Sequence, residues 1–361
     1  MKVKSEKEKG IREMREIMRR HGIDEGATVR DAMRRINELS GESMTLFAIR
    51  GEGEITGSIT DGDIRRALIG GRELSDKVST VMNRNFLYAS PGEDISLKMS
   101  QGRKRHIELL PVIEDGKVVD FIDLRRVHAL LPLEAVLMAG GRGERLRPLT
   151  DELPKPLLPV AGKPIIDYNV EELEACGIKK IYVTVNYLGE MIRDHFSEWK
   201  GRAKVKCVEE PKRLGTFGSL AFVEGISSED IIVMNSDLLS VIDFQSMYSH
   251  HRNSNSDFTI AAVPYSVSVP FAIMRMHGER VKSLEEKPTY NYFANGGVYI
   301  MRSELIGRIK KGEYLDAPDF IMGLIKDGFN VGSFHIEGTW IDIGSPDDYR
   351  LANELASRKI R

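Results

Sequence analysis

From Leu133 onward, short apolar runs alternate with amphipathic stretches: AVLMAGG, IYVTVNY, IIVMNSD and FTIAAVP against IIDYNVEELEACG and EMIRDHFSEW. A short apolar run suits a strand buried on both faces, and a longer amphipathic run suits a helix that covers it. Their alternation predicts an α/β fold, a Rossmann-like mixed sheet, mostly parallel and flanked by helices. In such sheets ligands sit beyond the carboxyl ends of the strands. The Gly-rich and charged sequences that follow the apolar runs are therefore where chemistry is to be sought.

The richest of these runs from Leu137 to Thr150 (LMAGGRGERLRPLT) and is followed by Leu153 to Val160 (LPKPLLPV). A Gly-rich turn straight after a buried strand lets backbone N–H groups approach a polyphosphate, because no side chain stands between. Ala139, Gly140, Gly141 and Gly143 are the candidates for that contact. Moving negative charge onto a departing pyrophosphate requires fixed cations, and Arg145 and Lys155 supply two. Further along, Asp237 and Asp342 each follow an apolar segment. Each alone is an ordinary turn residue. Together they offer the hard oxygen ligands that Mg²⁺ takes when phosphate and water complete its shell.

Composition narrows the partners. Across 361 residues, 52 Lys and Arg face 54 Asp and Glu, a net charge near −2. Gripping nucleic acid or an anionic membrane by bulk charge needs a cationic surplus, so neither is expected. Cys176 and Cys207 are too few for a disulfide framework. A charged N-terminus and the lack of any apolar run near the roughly 18 residues of a membrane span predict a cytoplasmic protein. The eight histidines have no metal-ligand spacing.

Before Leu133 the chain repeats itself. A shift of 63 positions aligns Met44–Leu68 with His106–Leu131, each reading strand, Gly-containing turn, strand and helix. Each block is preceded by an expected helix, Val29–Leu39 or Ile95–Arg105, so the unit is β-α-β-β-α. Ahead of it Ile11, Met14, Ile17 and Met18 share one helical face, which predicts a short amphipathic helix docked on the next domain. The expected divisions are residues 1–22, an N-terminal helix; 23–131, the paired repeat; and 132–361, the catalytic domain.

The paired repeat resembles a tandem cystathionine-β-synthase (CBS) module, most specifically in Ser58-Ile59-Thr60-Asp61-Gly62-Asp63. The resemblance implies an adenine or related nucleotide, with Asp63 accepting ribose hydroxyls and Thr60 near phosphate. A purely structural module with Asp63 as a helix cap is the alternative. The second repeat has Asp123 and Arg126 at the equivalent positions, which departs from the pattern. Paired modules of this kind also imply a homo-oligomer.

The region 133–361 resembles the sugar-1-phosphate nucleotidyltransferases, whose GT-A type sheet it would share. Matches occur in order: the Gly-rich signature, Asn235-Ser236-Asp237, Glu286-Lys287-Pro288, Asn295-Gly296-Gly297-Val298-Tyr299, and Gly338 to Tyr349. Glu144 departs from the usual Thr or Ser of the loop, and Ser236 from a frequent Gly. The resemblance implies Asp237 and Asp342 on Mg²⁺ and Lys287 on the sugar phosphate. It also implies Glu286, Asn295 and Gly296 around the sugar, and Asn186, Gly215 and Thr216 near ribose and base. The expected reaction joins a sugar 1-phosphate to an NTP and releases pyrophosphate. GTP is favoured, giving GDP-glucosamine or a related GDP-sugar; UTP or dTTP is the alternative within the family. Two other classes are weighed, a GT-A glycosyltransferase and a nucleotide-sensing CBS protein. The first lacks its Asp-x-Asp motif here, and the second has no need to keep Arg145, Lys155, Asp237, Lys287 and Asp342 together.

Overall fold

Two helices in the N-terminal half start on the same device. Thr28 precedes α1 (Val29–Glu38) and Thr60 precedes α2 (Asp61–Ile69). Each threonine side chain accepts the N–H three residues on, and the aspartate found there accepts the threonine N–H in return. The exchange satisfies amides that a first helical turn leaves without partners. The computed structural model describes residues 16–39, 43–51, 53–93 and 95–359. The chain divides into two compact units, one ending at Leu130 and the other beginning at Leu131.

In the first unit, strands β1 (Gly22–Asp24), β2 (Thr45–Arg50), β3 (Glu54–Thr60), β4 (Leu109–Glu114) and β5 (Lys117–Asp123) form one sheet in the order β1-β2-β3-β5-β4. The hairpins β2–β3 and β4–β5 meet at Glu54 and Lys117. β1 runs parallel to β2, and its counterpart in the second repeat is a single parallel bridge between Ala89 and Val112. Helix α3 (Ile95–Lys104) takes the place expected for it. The closing helix of the second repeat is absent. Leu124–Arg126 instead form a turn in which the Asp123 carboxylate accepts the Arg125 N–H and guanidinium. Pro132 disfavours helix just ahead of it, and Leu131 and Leu133 are buried in the second unit. Residues 16–21 are helical, and Ile17 and Met18 pack on Phe47, Ile55, Leu109 and Phe121. Ile11 and Met14 lie outside the described residues.

The second unit is built on seven strands: β6 (Glu134–Ala139), β7 (Lys180–Val185), β8 (Lys204–Glu209), β9 (Asp230–Asn235), β10 (Phe258–Ser268), β11 (Thr289–Arg302) and β12 (Val331–His335). Their order is β8-β7-β6-β9-β11-β10-β12, with β11 alone antiparallel to its neighbours. This is the mixed, mostly parallel sheet that the apolar runs imply. Helices α4 (Ile165–Ala175), α5 (Gly189–Ser197), α6 (Phe244–Asn253), α7 (Ala317–Lys326) and α8 (Pro346–Lys359) accompany it. Val136, Val233, Phe217, Phe258, Tyr299 and Phe320 make the main core. β6 enters first, β7 lies on one side of it and β9 on the other, so the chain reverses its winding at the end of β6. That switch point leaves a crevice beyond the strand ends.

Candidate active site

β6 ends at buried Ala139, and the chain turns outward through Gly140 and Gly141. Gly143 sits at φ +64°, and a Cβ there would stand 2.9 Å from Thr150 Cγ2 and 3.1 Å from Lys155 Cβ. The loop can therefore fold down on Lys155 only with glycine at this position. The Thr150 hydroxyl donates to the Gly143 carbonyl at 2.9 Å, and the Tyr187 hydroxyl donates to the carbonyls of Thr150 and Asp151. A short 3₁₀ turn, Glu144–Leu146, carries Arg145, and the buried Leu146 side chain anchors it. The Arg145 guanidinium lies against Gly344, about 3.3 Å from where a Cβ would stand.

Asp237 follows β9 and is fixed through its neighbours. The Ser236 hydroxyl donates to the Met138 carbonyl at 2.8 Å, and Asn169 of α4 donates to the Ser236 carbonyl at 3.2 Å. Strands Leu238–Ser240 and Trp340–Asp342 form an antiparallel ribbon that pairs Leu238 with Asp342. The ribbon brings the two aspartates side by side. Between them sits Lys155: its Nζ contacts Asp237 Oδ2 and lies 3.7 Å from Asp342 Oδ1. Burial, then the charge of Asp237, raises the Asp342 carboxyl above the usual range, while Lys155 and Arg145 pull it down.

Asp237 Oδ1 is buried with no hydrogen-bond partner. A buried, unpaired carboxylate oxygen beside a second carboxylate fits a small divalent cation of the Mg²⁺ type. No group of three or more His, Cys, Asp or Glu that could hold a metal ion by itself occurs among the described residues. Two carboxylates from the chain, with substrate phosphate and water supplying the other oxygens, match the coordination that Mg²⁺ accepts.

Glu210 is the residue that sequence reasoning missed. It follows β8, is 6% exposed, and its Oε1 stands over Gly140 where an alanine Cβ would collide. Burial lifts its carboxyl to about 7, with the Leu214 N–H acting in the opposite direction. Its neighbour Glu209 is exposed and pairs with Arg193 at 3.1 Å. Two adjacent acids in a charged loop look alike in the sequence, and only the fold turns one inward. Asn186 donates to the Glu210 backbone carbonyl at 3.1 Å, so its amide positions this segment.

Gly215 has φ +78°, and a Cβ there would run into the Leu315 carbonyl at 2.5 Å. Glycine is needed here for packing against that carbonyl. The Thr216 N–H donates to Asp316 at 3.0 Å, and its hydroxyl accepts the Ala317 N–H at 2.8 Å. On the other side of the crevice, Asn295 Oδ1 accepts the Gly297 N–H at 3.0 Å, and the Trp340 indole donates to the Gly296 carbonyl at 2.9 Å. Glu286 and Lys287 occupy an exposed turn before β11, with Lys287 at φ +45°. Neither makes an ion pair with another described residue. In the first unit, Asp63 accepts the Thr60 N–H and hydroxyl and pairs with Arg66 at 2.6 Å.

The nucleotidyl transferase family model matches residues 134–359, more than half of the chain. The chain belongs to the nucleotidyl transferase family. A CBS domain model matches residues 11–70, which include the first repeat. Mannose-1-phosphate guanyltransferase of Emericella nidulans is 30% identical over 227 residues, covering 60% of this chain and 62% of that protein. The Schizosaccharomyces pombe enzyme of the same name is 30% identical over 239 residues, covering 63% and 66%. The chain thus spans less than two thirds of the length of these curated relatives. The crystal structure of HddC from Yersinia pseudotuberculosis is 27% identical, covers 62% of this chain and 99% of that chain, and has a TM-score of 0.49. The nucleotidyl transferase match contains the glycine loop, Lys155, both aspartates and Glu210. No helix among the described residues is long and apolar enough to cross a membrane.

Proposed function

We propose that the chain transfers a nucleoside monophosphate, GMP by preference, from an NTP to a sugar 1-phosphate. An oxygen of the sugar phosphate attacks the α-phosphorus, the bond to the β-phosphate oxygen breaks, and pyrophosphate leaves with the electron pair. The observation that carries this reading is the Lys155–Asp237–Asp342 cluster, with Arg145 beside it, at the foot of the glycine loop.

The order of strands arranges the work. Glu210 and Asn186 follow β8 and β7, the loop follows β6, Asp237 follows β9, and Asn295 and Gly296 lie on β11. Base, phosphates and sugar would lie across the crevice in that sequence. Ala139, Gly140, Gly141 and Gly143 would line the phosphates, Arg145 would hold the departing pyrophosphate, and Lys155 and Lys287 would steady the reacting phosphates. Asp237 and Asp342 would hold Mg²⁺, which when bound neutralises phosphate charge. Such a site works by positioning and charge compensation.

Glu210 supports guanine. With its carboxyl lifted to about 7, Glu210 is ionised from about neutral pH upward; in that form it only accepts hydrogen bonds, and guanine presents two donors on one edge, N1–H and the 2-amino group. The names of the relatives point to the same base. Thr60 and Asp63 are the proposed contacts of a nucleotide in the CBS module.

The test is pyrophosphate release with Mg²⁺, pairing GTP, UTP, dTTP, CTP or ATP with mannose 1-phosphate, glucosamine 1-phosphate and other sugar 1-phosphates. Release that needs both substrates and runs fastest with GTP is expected. NTP breakdown without sugar phosphate, or no release from any pair, would overturn the reading.

A further inference from the structure

Beside Trp340 opens a cavity of about 510 Å³, lined by Val263, Pro264, Phe293, His335, Glu337 and Trp340 among others. Its volume lies within the range of small-molecule sites. Phe293 and Asn295 are two residues apart on β11 in regular pairing with Pro264 and Ala262, so they share a face of the sheet. Trp340 and Asp342 are likewise two apart on the ribbon strand. The Trp340 indole is tied to the Gly296 carbonyl. Through Trp340 the cavity borders the Asn295–Gly296 region, and neither Asp237 nor Asp342 is among its lining residues.

Its lining suits carbohydrate. The Phe293 ring stacks on His335, with centroids 4.2 Å apart and planes at 16°, yet Phe293 is 60% exposed. One aromatic face is braced while its surface remains open. Glu337 is exposed and has no ion-pair partner among the described residues. We propose that this cavity reads the sugar at the end remote from its phosphate. Phe293, braced by His335, carries the apolar face of the sugar, and Glu337 accepts hydrogen bonds from its hydroxyl or amino groups. The substrate class is then a neutral or amino sugar 1-phosphate. A uronic acid 1-phosphate would set its carboxylate against Glu337 and is disfavoured by like charge.

This inference rests on the transferase reading, and the experiment separates the two. Kinetics with GTP are measured for the wild type, Phe293→Ala and Glu337→Gln, using mannose 1-phosphate, glucosamine 1-phosphate and glucuronic acid 1-phosphate. Calorimetric titration of the same three sugar phosphates gives a readout independent of turnover. Phe293→Ala should raise KM and Kd for the neutral or amino sugar phosphate about tenfold, with the KM for GTP within about twofold of wild type. Glu337→Gln should narrow the discrimination against glucuronic acid 1-phosphate about tenfold. Unchanged sugar affinity in both variants, or equal shifts in the KM values of sugar phosphate and GTP, would overturn the inference while leaving the transferase intact. A wild type that binds these sugar phosphates without releasing pyrophosphate would overturn the transferase reading alone, and the binding shifts would still decide the cavity.

Discussion

Lys155 stands between the two carboxylates proposed to hold Mg²⁺ and beside the unpartnered Asp237 Oδ1. Replacing it by an uncharged residue leaves those carboxylates without their local cation. Lys155→Met should therefore bind Mn²⁺ more tightly than wild type in the absence of nucleotide, as read by electron paramagnetic resonance, while turnover falls. Unchanged or weaker Mn²⁺ binding would show that Lys155 does not compete for the position. Arg145→Ala should lower kcat about 100- to 1,000-fold, the usual effect of removing one group that stabilises developing charge, in a pyrophosphate-release assay. Glu210 makes a prediction about pH. Its carboxyl is raised to about 7 from the 4.5 of an ordinary glutamate. Between these values the unfolded chain gives up the proton while the folded chain keeps it, so this group lowers stability as pH rises and its effect levels off above 7. Melting curves should show Glu210→Gln gaining on wild type from pH 5 to pH 8, and the variant should discriminate less between GTP and UTP. Nothing in the local sequence separates Glu210 from Glu209, because burial depends on which side of β8 faces the loop after β6.

Elements were legible where a local pattern and the tertiary demand agreed. The apolar runs became β6, β7, β9 and the start of β10, because a strand covered on both faces needs continuous apolar sequence. The helix expected after β5 did not form, although Leu124, Val127 and Leu131 have helical spacing. Asp123 caps a turn with Arg125, and the chain is drawn on to Leu131, whose N–H donates to the Cys176 carbonyl at 3.0 Å. The Gly215 segment shows the same dependence on distant partners. Its short helical turn, Gly215–Gly218, is held by the Leu315 carbonyl, which accepts the N–H groups of Phe217 and Gly218. Gly215→Ala should cost about 1–3 kcal/mol through strain and displacement of that carbonyl, measured by denaturant unfolding. A loss below about 0.5 kcal/mol would mean that the segment yields easily.

At the scale of the molecule, the two units carry separate cores: Val29, Leu46, Ile59 and Ile64 with Met99, Leu110 and Ile122 in the first, and the Phe217–Phe258–Tyr299–Phe320 cluster in the second. A fragment of residues 131–361 retains the whole second core and every proposed transferase residue. It should unfold cooperatively and release pyrophosphate, as calorimetry and the coupled assay would show; a fragment that cannot fold would mean that residues before Leu131 complete its core. The sequence by itself determined the α/β class, the repeat, the glycine loop and the charged residues around it, because periodicity and backbone freedom are written locally. Tertiary structure alone decided that Lys155 bridges Asp237 and Asp342, that Glu210 turns inward over Gly140, and that Phe293 and His335 stack beside Trp340. Each of these contacts joins residues far apart in the chain, and their meeting is fixed by strand order and register, which local sequence does not encode.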